Sequence, residues 1–386
     1  MRAVPATFDP AVPPFEAYSL EELRTRTSIK WRMFEPDVLP LWVAEMDAVP
    51  VPSVVATLEA ALEAGDLGYA PVDDAYAESF AALAARRWGW SVDVSATTLA
   101  ADVLTGVRES LLAVTEPGDA ILLPTPVYHP LVDMPAAIGR RLVTCPLTDE
   151  GRLDLAAIEA GLGDPSVRAL LLCSPHNPTG VVHTAAELSA IAALAAERDV
   201  TVVVDEIHAM LVLEGATFVP WLSVSPHGIV VTSASKAYNM AAIKAAIVIA
   251  GEGSRDALER MPEIMRWGAS NIGVMAHRAA WDGGDAWIDA VNTAIASNAA
   301  YLSELLAEHL PAVRYRGQQA TYLAWLDCRT LDLGDDPSVA FREKGRVALN
   351  PGPEFGPGGE GFVRLNLATS RAVLAEAVRR MAATVA

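Results

Sequence analysis

The chain has 386 residues, 52% of them hydrophobic, and a formal net charge of −19. That length exceeds one ordinary domain, and that apolar content excludes disorder as a global description. The acid excess argues against nucleic acid or an anionic membrane as main partner, because a phosphate backbone needs a basic face.

Cys145, Cys173 and Cys328 are widely spaced, without a Cys-x-x-Cys pair. This is the pattern of reduced, buried thiols in a cytoplasmic protein, and Cys173 reads as a small core residue. Residues 1–18 have no apolar core behind a basic start, so no signal peptide is expected. The longest apolar runs, such as residues 245–250, fall far short of the ~20 residues that span a bilayer, and a soluble protein is expected.

Residues 1–45 are rich in Pro and charge and read as an arm with a short helix near residues 20–25. Residues 39–47 are both apolar and acidic, fitting a short strand entering the core or the mouth of a site. A helix over residues 54–64 is closed by Gly65. Tyr69 lies in the turn 68–71, and a second helix covers residues 74–88. Residues 102–107 run from a strand into a helix over 107–116. A Thr-Gly turn there would present free N–H groups at the positive end of the helix dipole, a seat for phosphate.

Residues 120–123 form a strand that leads to Tyr128, and residues 167–173 form another that leads to Asn177. Thr184 and Glu187 make a capping box that starts a helix running to about residue 198. Residues 201–205 are a near-continuous apolar run ending on Asp205, as in a strand buried on both faces. Residues 228–232 form one more, followed by Ser233, Lys236 and Lys244. After residue 284 come a long helix over 286–310, strands over 320–327 and 362–367, and a last helix from near Ser370.

Strands alternating with helices imply an α/β protein, with a large domain built on a mostly parallel central sheet between helices and a smaller α+β domain. The expected division is residues 1–48 as an arm contributing to the small domain, 49–285 as the large domain and 286–386 as the small one. Asn177, Asp205 and Lys236 each fall just past the carboxyl end of a strand, the edge where open α/β sheets bind ligands.

A lysine in such a place is costly to desolvate as an ammonium ion and becomes useful as a Schiff base with an aldehyde cofactor. Ser233 and Lys244 suit a phosphate on that cofactor. Asp205, which could otherwise cap a turn, suits a pyridinium nitrogen. Such opposite charges ~4 Å apart interact by roughly 4 kcal/mol at an effective dielectric near 20. Asn177 could donate to a ring oxygen, and Tyr128 could stack on the ring for roughly 0.5–1.5 kcal/mol beyond burial. Arg364, alternatively a strand-end arginine in a surface ion pair, offers a fork for an α-carboxylate.

The spacing of Asn177, Asp205, Ser233, Lys236 and Lys244 resembles that of the fold-type I pyridoxal phosphate (PLP) enzymes, the aspartate aminotransferase superfamily. Within it, the phrases PLWVAEMD, LGYAP, PTPVYHP, SPHNPTG, VDEIHA, SASKAYN and NPGPEFGPGGEGFVRLNLATSR resemble the MalY/PatB group of cystathionine β-lyases. The resemblance spans about residues 39–371. It implies Lys236 as Schiff-base lysine and Cα base, Asp205 as partner of the ring nitrogen, Asn177 at the phenolate oxygen and Tyr128 on the ring face. His208 stands where relatives often carry a tyrosine. Thr105, Gly106, Val107, Ser233 and Lys244 match the phosphate cradle, while Ala44 and Arg364 match substrate contacts.

Tyr69 matches a tyrosine that reaches the partner subunit's phosphate, which implies a homodimer with shared sites. Met210 and Ala242 depart from the group, which has a small polar or acidic residue and Gly there. The implied reaction is cleavage of L-cystathionine or a related cysteine thioether to a thiol, pyruvate and ammonia, with no metal. The alternatives are an aminotransferase using the same residues, a C–S lyase for a cysteine conjugate in a biosynthetic pathway, and a regulatory binding protein that keeps the fold.

Overall fold

The computed structural model describes residues 7–385. Its strands are β1 (Leu39–Pro40), β2 (Thr97–Ala100), β3 (Ala120–Thr125), β4 (Arg141–Pro146), β5 (Val167–Cys173) and β6 (Thr201–Asp205). They continue with β7 (Ile229–Thr232), β8 (Ala246–Ala250), β9 (Leu323–Asp327), β10 (Val347–Ala348), β11 (Asn350–Pro351) and β12 (Phe362–Asn366). Seven of them form one sheet in the order β2-β8-β7-β6-β5-β3-β4, in which β8 alone runs against the rest.

The apolar runs in β3, β5, β6 and β7 are buried along nearly their whole length because helices cover both faces. Successive residues feed opposite cores: Leu170, Leu172, Val202 and Val204 join one cluster, and Ala169, Leu171 and Val203 the other. Each of the valines and leucines among them stabilises the fold by roughly 1.5–3 kcal/mol on burial. The parallel strands share one carboxyl edge, with Asp205 level with Cys173 on one side and Val231 on the other. Loops leaving that edge carry Tyr128, Asn177, His208 and Lys236 of the site described below.

A smaller antiparallel sheet, β11-β12-β9, and the parallel pair β1–β10 build a second core with Leu39, Leu41, Phe341, Leu365 and Leu374. The helix Asp285–His309 belongs to both cores. Trp287, Ile288 and Val291 enter the large cluster, whereas Leu302, Leu305 and Leu306 enter the small one. The break expected at residue 285 therefore falls at the start of a shared element, and we propose that the two units meet within this helix.

The helix expected over residues 107–116 instead runs Val103–Val114, with Asp102 as N-cap accepting the Thr105 N–H at 2.9 Å. Gly106 lies inside it. A Cβ there would sit 2.6 Å from Val231 Cγ1, so glycine is required for the helix to approach the sheet. The capping box at Thr184 is present and starts the helix Ala185–Glu197.

Residues 41–47 form an irregular strap rather than a strand, with their backbone groups satisfied by side chains from both units. Asn366 Nδ2 donates to Val43 O at 2.8 Å and Glu45 O at 2.6 Å, and Asn239 bonds both N–H and C=O of Met46. Buried Lys30 donates to Glu45 O at 3.1 Å, and its Nζ lies 2.8 Å from the carboxylate of buried Asp47, an ion pair without hydrogen-bond alignment.

Truncating Lys30 leaves the buried Asp47 carboxylate with only the partly exposed Arg26 guanidinium, at 3.9 Å, as a charged partner among the described residues. Lys30→Ala is expected to cost about 3–5 kcal/mol in urea unfolding, and Lys30→Met/Asp47→Leu markedly less, because no lone charge remains. Equal losses in the two variants would contradict this account of the strap.

Candidate active site

Where the strap crosses the carboxyl edge of the sheet, a cavity of about 130 Å³ is enclosed by Ala44, Tyr128, Asn177, Asp205, His208 and Lys236, among others. The expected convergence of an amide, a carboxylate and an amine from three separate loops is present in the geometry. Lys236 Nζ donates to Ala44 O at 3.2 Å. Burial, reinforced by the nearby Arg364 and Lys244 charges, lowers the Lys236 pKa to about 8.

Asp205 closes one end of the cavity. Its Oδ1 accepts the Ile207 N–H at 3.0 Å, and burial raises its pKa to about 6. His208 is buried and its Nδ1 has no partner among the described residues. Desolvation, helped by Lys236 and Arg364, pushes its pKa down to about 3, which keeps the imidazole neutral. Tyr128 hangs from a backbone bond to Asn177 O at 3.0 Å, and burial raises its phenol pKa. Cys173, read as a core residue, also lines the cavity. Its Sγ donates to Pro175 O at 3.5 Å and burial drives its thiol pKa upward.

Arg364 is buried, and so is not the surface ion-pair arginine weighed as an alternative. It donates Nη1 to Asn177 Oδ1 at 3.1 Å and Nη2 to Asn350 Oδ1 at 2.7 Å and Trp42 O at 3.1 Å, leaving buried Nε without a partner among the described residues. Its pKa falls to about 10 on burial, so it remains charged at neutral pH.

The groups expected to cradle a phosphate are largely engaged elsewhere. Thr105 spends its N–H on Asp102, while Gly106 and Val107 pack into the core. The open N–H groups at the helix start belong to Val103 and Leu104, which line the cavity with Asp102 and Ser235. Ser233 is also turned away. Its Oγ donates to Ala245 O at 2.8 Å and accepts the Ser235 N–H at 3.1 Å. Lys244 does reach the mouth, where Nζ meets Asp102 Oδ2 at 3.1 Å. A capping aspartate followed by two residues with free N–H groups was the available signal. It was masked by the Thr-Gly pair that follows.

Tyr69 does not line this cavity within its own subunit: it is 85% exposed, its ring edge-on to Trp267 at 6.3 Å, and it bridges to Ser270, whose N–H donates to Lys244 O at 2.9 Å. Met210 donates no side chain to the cavity; its carbonyl accepts Asn292 Nδ2 at 2.9 Å. Among the described residues, no group of three or more His, Cys, Asp or Glu could hold a metal ion. No helix among them is long and apolar enough to cross a membrane.

A buried lysine, a buried carboxylate and an anion seat on one sheet edge define a site for a phosphorylated ring compound, and residues 36–381 match the model of the aminotransferase class I and II family. The chain belongs to that family. A protein of Mycobacterium tuberculosis provisionally named a cystathionine beta-lyase is 45% identical over 95% of this chain and 97% of its own length. The cystathionine beta-lyase of Corynebacterium glutamicum is 35% identical over 94% and 98% of the two chains. A crystal structure from Corynebacterium diphtheriae, provisionally described as a PLP-dependent beta-cystathionase, superposes with a TM-score of 0.91 at 34% identity, covering 97% of this chain and 99% of that one.

Reductive alkylation with a small aldehyde, followed by peptide mapping, should label Lys236 with a half-maximal rate near pH 8. The amine reacts only when deprotonated, so labelling rises as pH climbs through that value, ahead of lysines with the ordinary pKa of about 10.4. A Lys236 profile that follows the ordinary lysines would contradict its desolvation.

Proposed function

We propose that the protein is a PLP-dependent carbon–sulfur lyase that cleaves L-cystathionine or a related cysteine thioether to a thiol, pyruvate and ammonia. The observation that carries the reading is the meeting of Lys236, Asp205 and Asn177 around one cavity, with an anion seat at its mouth. The donor set fits the cofactor. Asp205 would face the ring nitrogen, Asn177 and His208 the ring oxygen, and Tyr128 the ring face. Val103, Leu104, Ser235 and Lys244 would hold the phosphate, and Lys236 the aldehyde carbon. His208 Nδ1, buried without a partner among the described residues, supports a polar occupant.

When bound, PLP supplies an electron sink that stabilises negative charge at the substrate Cα. Asp205, with its pKa near 6, is ionised at neutral pH and favours a protonated ring nitrogen. Arg364 holds the substrate α-carboxylate with its spare Nε donor, and its bonds to Asn177 and Asn350 fix the fork's orientation. Lys236, near pH 8 half deprotonated, takes the Cα proton on Nζ. Ala44 O holds that nitrogen in place. The C–S bond then breaks, the thiolate leaves and is protonated, and water releases pyruvate and ammonia from the three-carbon remainder.

An aminotransferase would use the same residues. The names of relatives along nearly the full length favour lyase chemistry. We also propose a homodimer with shared sites in the cytoplasm, supported by the exposed cluster of Tyr69, Ile264 and Trp267 and by three free, buried cysteines.

Purified protein with PLP is expected to form pyruvate and free thiol from L-cystathionine without an oxo-acid acceptor; strict acceptor dependence would favour the aminotransferase. Lys236→Ala is expected to lose about 10²–10⁴-fold in turnover together with the cofactor's absorbance. Retained β-elimination by that variant refutes the role of Lys236. Mixing inactive Lys236→Ala and Tyr69→Ala subunits should restore about a quarter of wild-type activity if sites are shared, since half the dimers are mixed and each has one intact site. No recovery would count against sharing.

A further inference from the structure

Beside the carboxylate fork lies a second charged group that the reaction itself does not require. Asn350 on β11 is level with Arg364 on β12, so the two side chains share a face. Asn350 Oδ1 accepts from Arg364 Nη2 at 2.7 Å, and its Nδ2 donates to Glu354 Oε2 at 2.9 Å. Glu354 stands in the short 3₁₀ turn Gly352–Phe355, exposed to solvent, while Phe355 behind it is buried, its ring centre 5.1 Å from the Arg364 guanidinium. Phe355 O accepts the Val127 N–H at 2.9 Å, which pins this turn against the loop carrying Tyr128.

His129 follows Tyr128 and packs edge-on to it at 5.1 Å and to Phe355 at 6.4 Å. Its Nδ1 is buried without a partner among the described residues. Glu354 and Arg364 both act electrostatically on this imidazole, as does Asp133 on the helix His129–Ala137 that starts with it. One end of this constellation thus presents a guanidinium, the other presents a carboxylate to solvent, and an open imidazole valence lies beside it.

We propose that Glu354 is a specificity-determining residue that receives the distal ammonium group of a thioether carrying a second amino-acid head, with His129 as the adjoining wall. This rests on the lyase reading above and narrows its substrate class. The span supports it. The two hydrogen bonds and one amide roughly 2.3 Å wide put the guanidinium and the Glu354 carboxylate within about 8 Å of each other. In a cystathionine-type thioether the two α-carbons are separated by five bonds, roughly 6–7 Å when extended, so a partly folded chain sets its proximal carboxylate and distal ammonium side by side over groups about 8 Å apart. A thioether with a plain alkyl tail has nothing to offer Glu354. Its discrimination is a matter of one charge-assisted hydrogen bond at a solvent-exposed site.

The test uses the PLP-loaded enzyme and its Glu354→Gln, Glu354→Asp and Asp133→Asn variants, each assayed by pyruvate release from L-cystathionine and from S-methyl-L-cysteine. Glu354→Gln should raise KM for L-cystathionine about tenfold with kcat and the cofactor spectrum unchanged. S-methyl-L-cysteine kinetics should not move, Glu354→Asp should recover most of the affinity, and Asp133→Asn should behave as wild type. An unchanged KM for L-cystathionine, or equal losses on both thioethers, overturns the proposal. If the wild type turns over neither thioether, the lyase reading fails instead. Glu354 is then judged by calorimetric binding of L-cystathionine, where equal affinity of wild type and Glu354→Gln overturns it.

Discussion

The hydrogen bond from Lys236 Nζ to Ala44 O is the contact on which the rest of the site depends. Lys236 comes from the loop after β7 and Ala44 from the strap, so one bond joins the sheet edge to the segment that roofs it. The strap has no ladder of its own. Its carbonyls are taken by Asn366, Asn239, Lys30, Arg364 and Tyr322, which makes its path a product of both cores. Side chains that would otherwise be costly to bury become mutual partners along this path.

The electrostatics of the site follow from its dryness. A chain with formal charge −19 has gathered Lys236, Arg364 and Lys244 around one small cavity, and the buried lysine and arginine depart from their behaviour in water. The lysine is weakened as a cation, the aspartate as an anion, and His208 is stripped of its proton. Burial is the leading cause in all three cases, and the neighbouring charges then adjust it. A polarised occupant would find groups already relieved of water.

Much of the architecture was legible because buried parallel strands write themselves as unbroken apolar runs, as in β5 and β6. The positions of Asn177, Asp205 and Lys236 were legible because each follows such a run. What was not legible depended on three-dimensional crowding. Gly106 looked like part of a phosphate turn, but its lack of a Cβ answers to Val231 across the helix–sheet contact. Ser233 looked like a phosphate ligand, but its hydroxyl closes its own turn through Ala245. The stretch 39–47 was legible as a short strand or the mouth of a site, and it holds both β1 and Ala44, but the path of the strap was not, because its hydrogen-bond partners Asn239 and Asn366 lie far along the chain. Arg364 could be read as a fork, but its burial beneath Trp42 could not.

The helix Asp285–His309, whose first half enters one core and whose second half enters the other, acts as a ruler in both length and phase. With 3.6 residues per turn, adding a single residue at its middle would rotate everything beyond it by about 100° and advance it by about 1.5 Å. Leu302 and its neighbours would then turn away from their core while a stripe about 100° around the helix faced the small sheet. Natural length variation is therefore expected to avoid this stretch and to collect in surface turns such as 332–336, and grafting one unit of this protein onto another scaffold would have to preserve the helical register across the join.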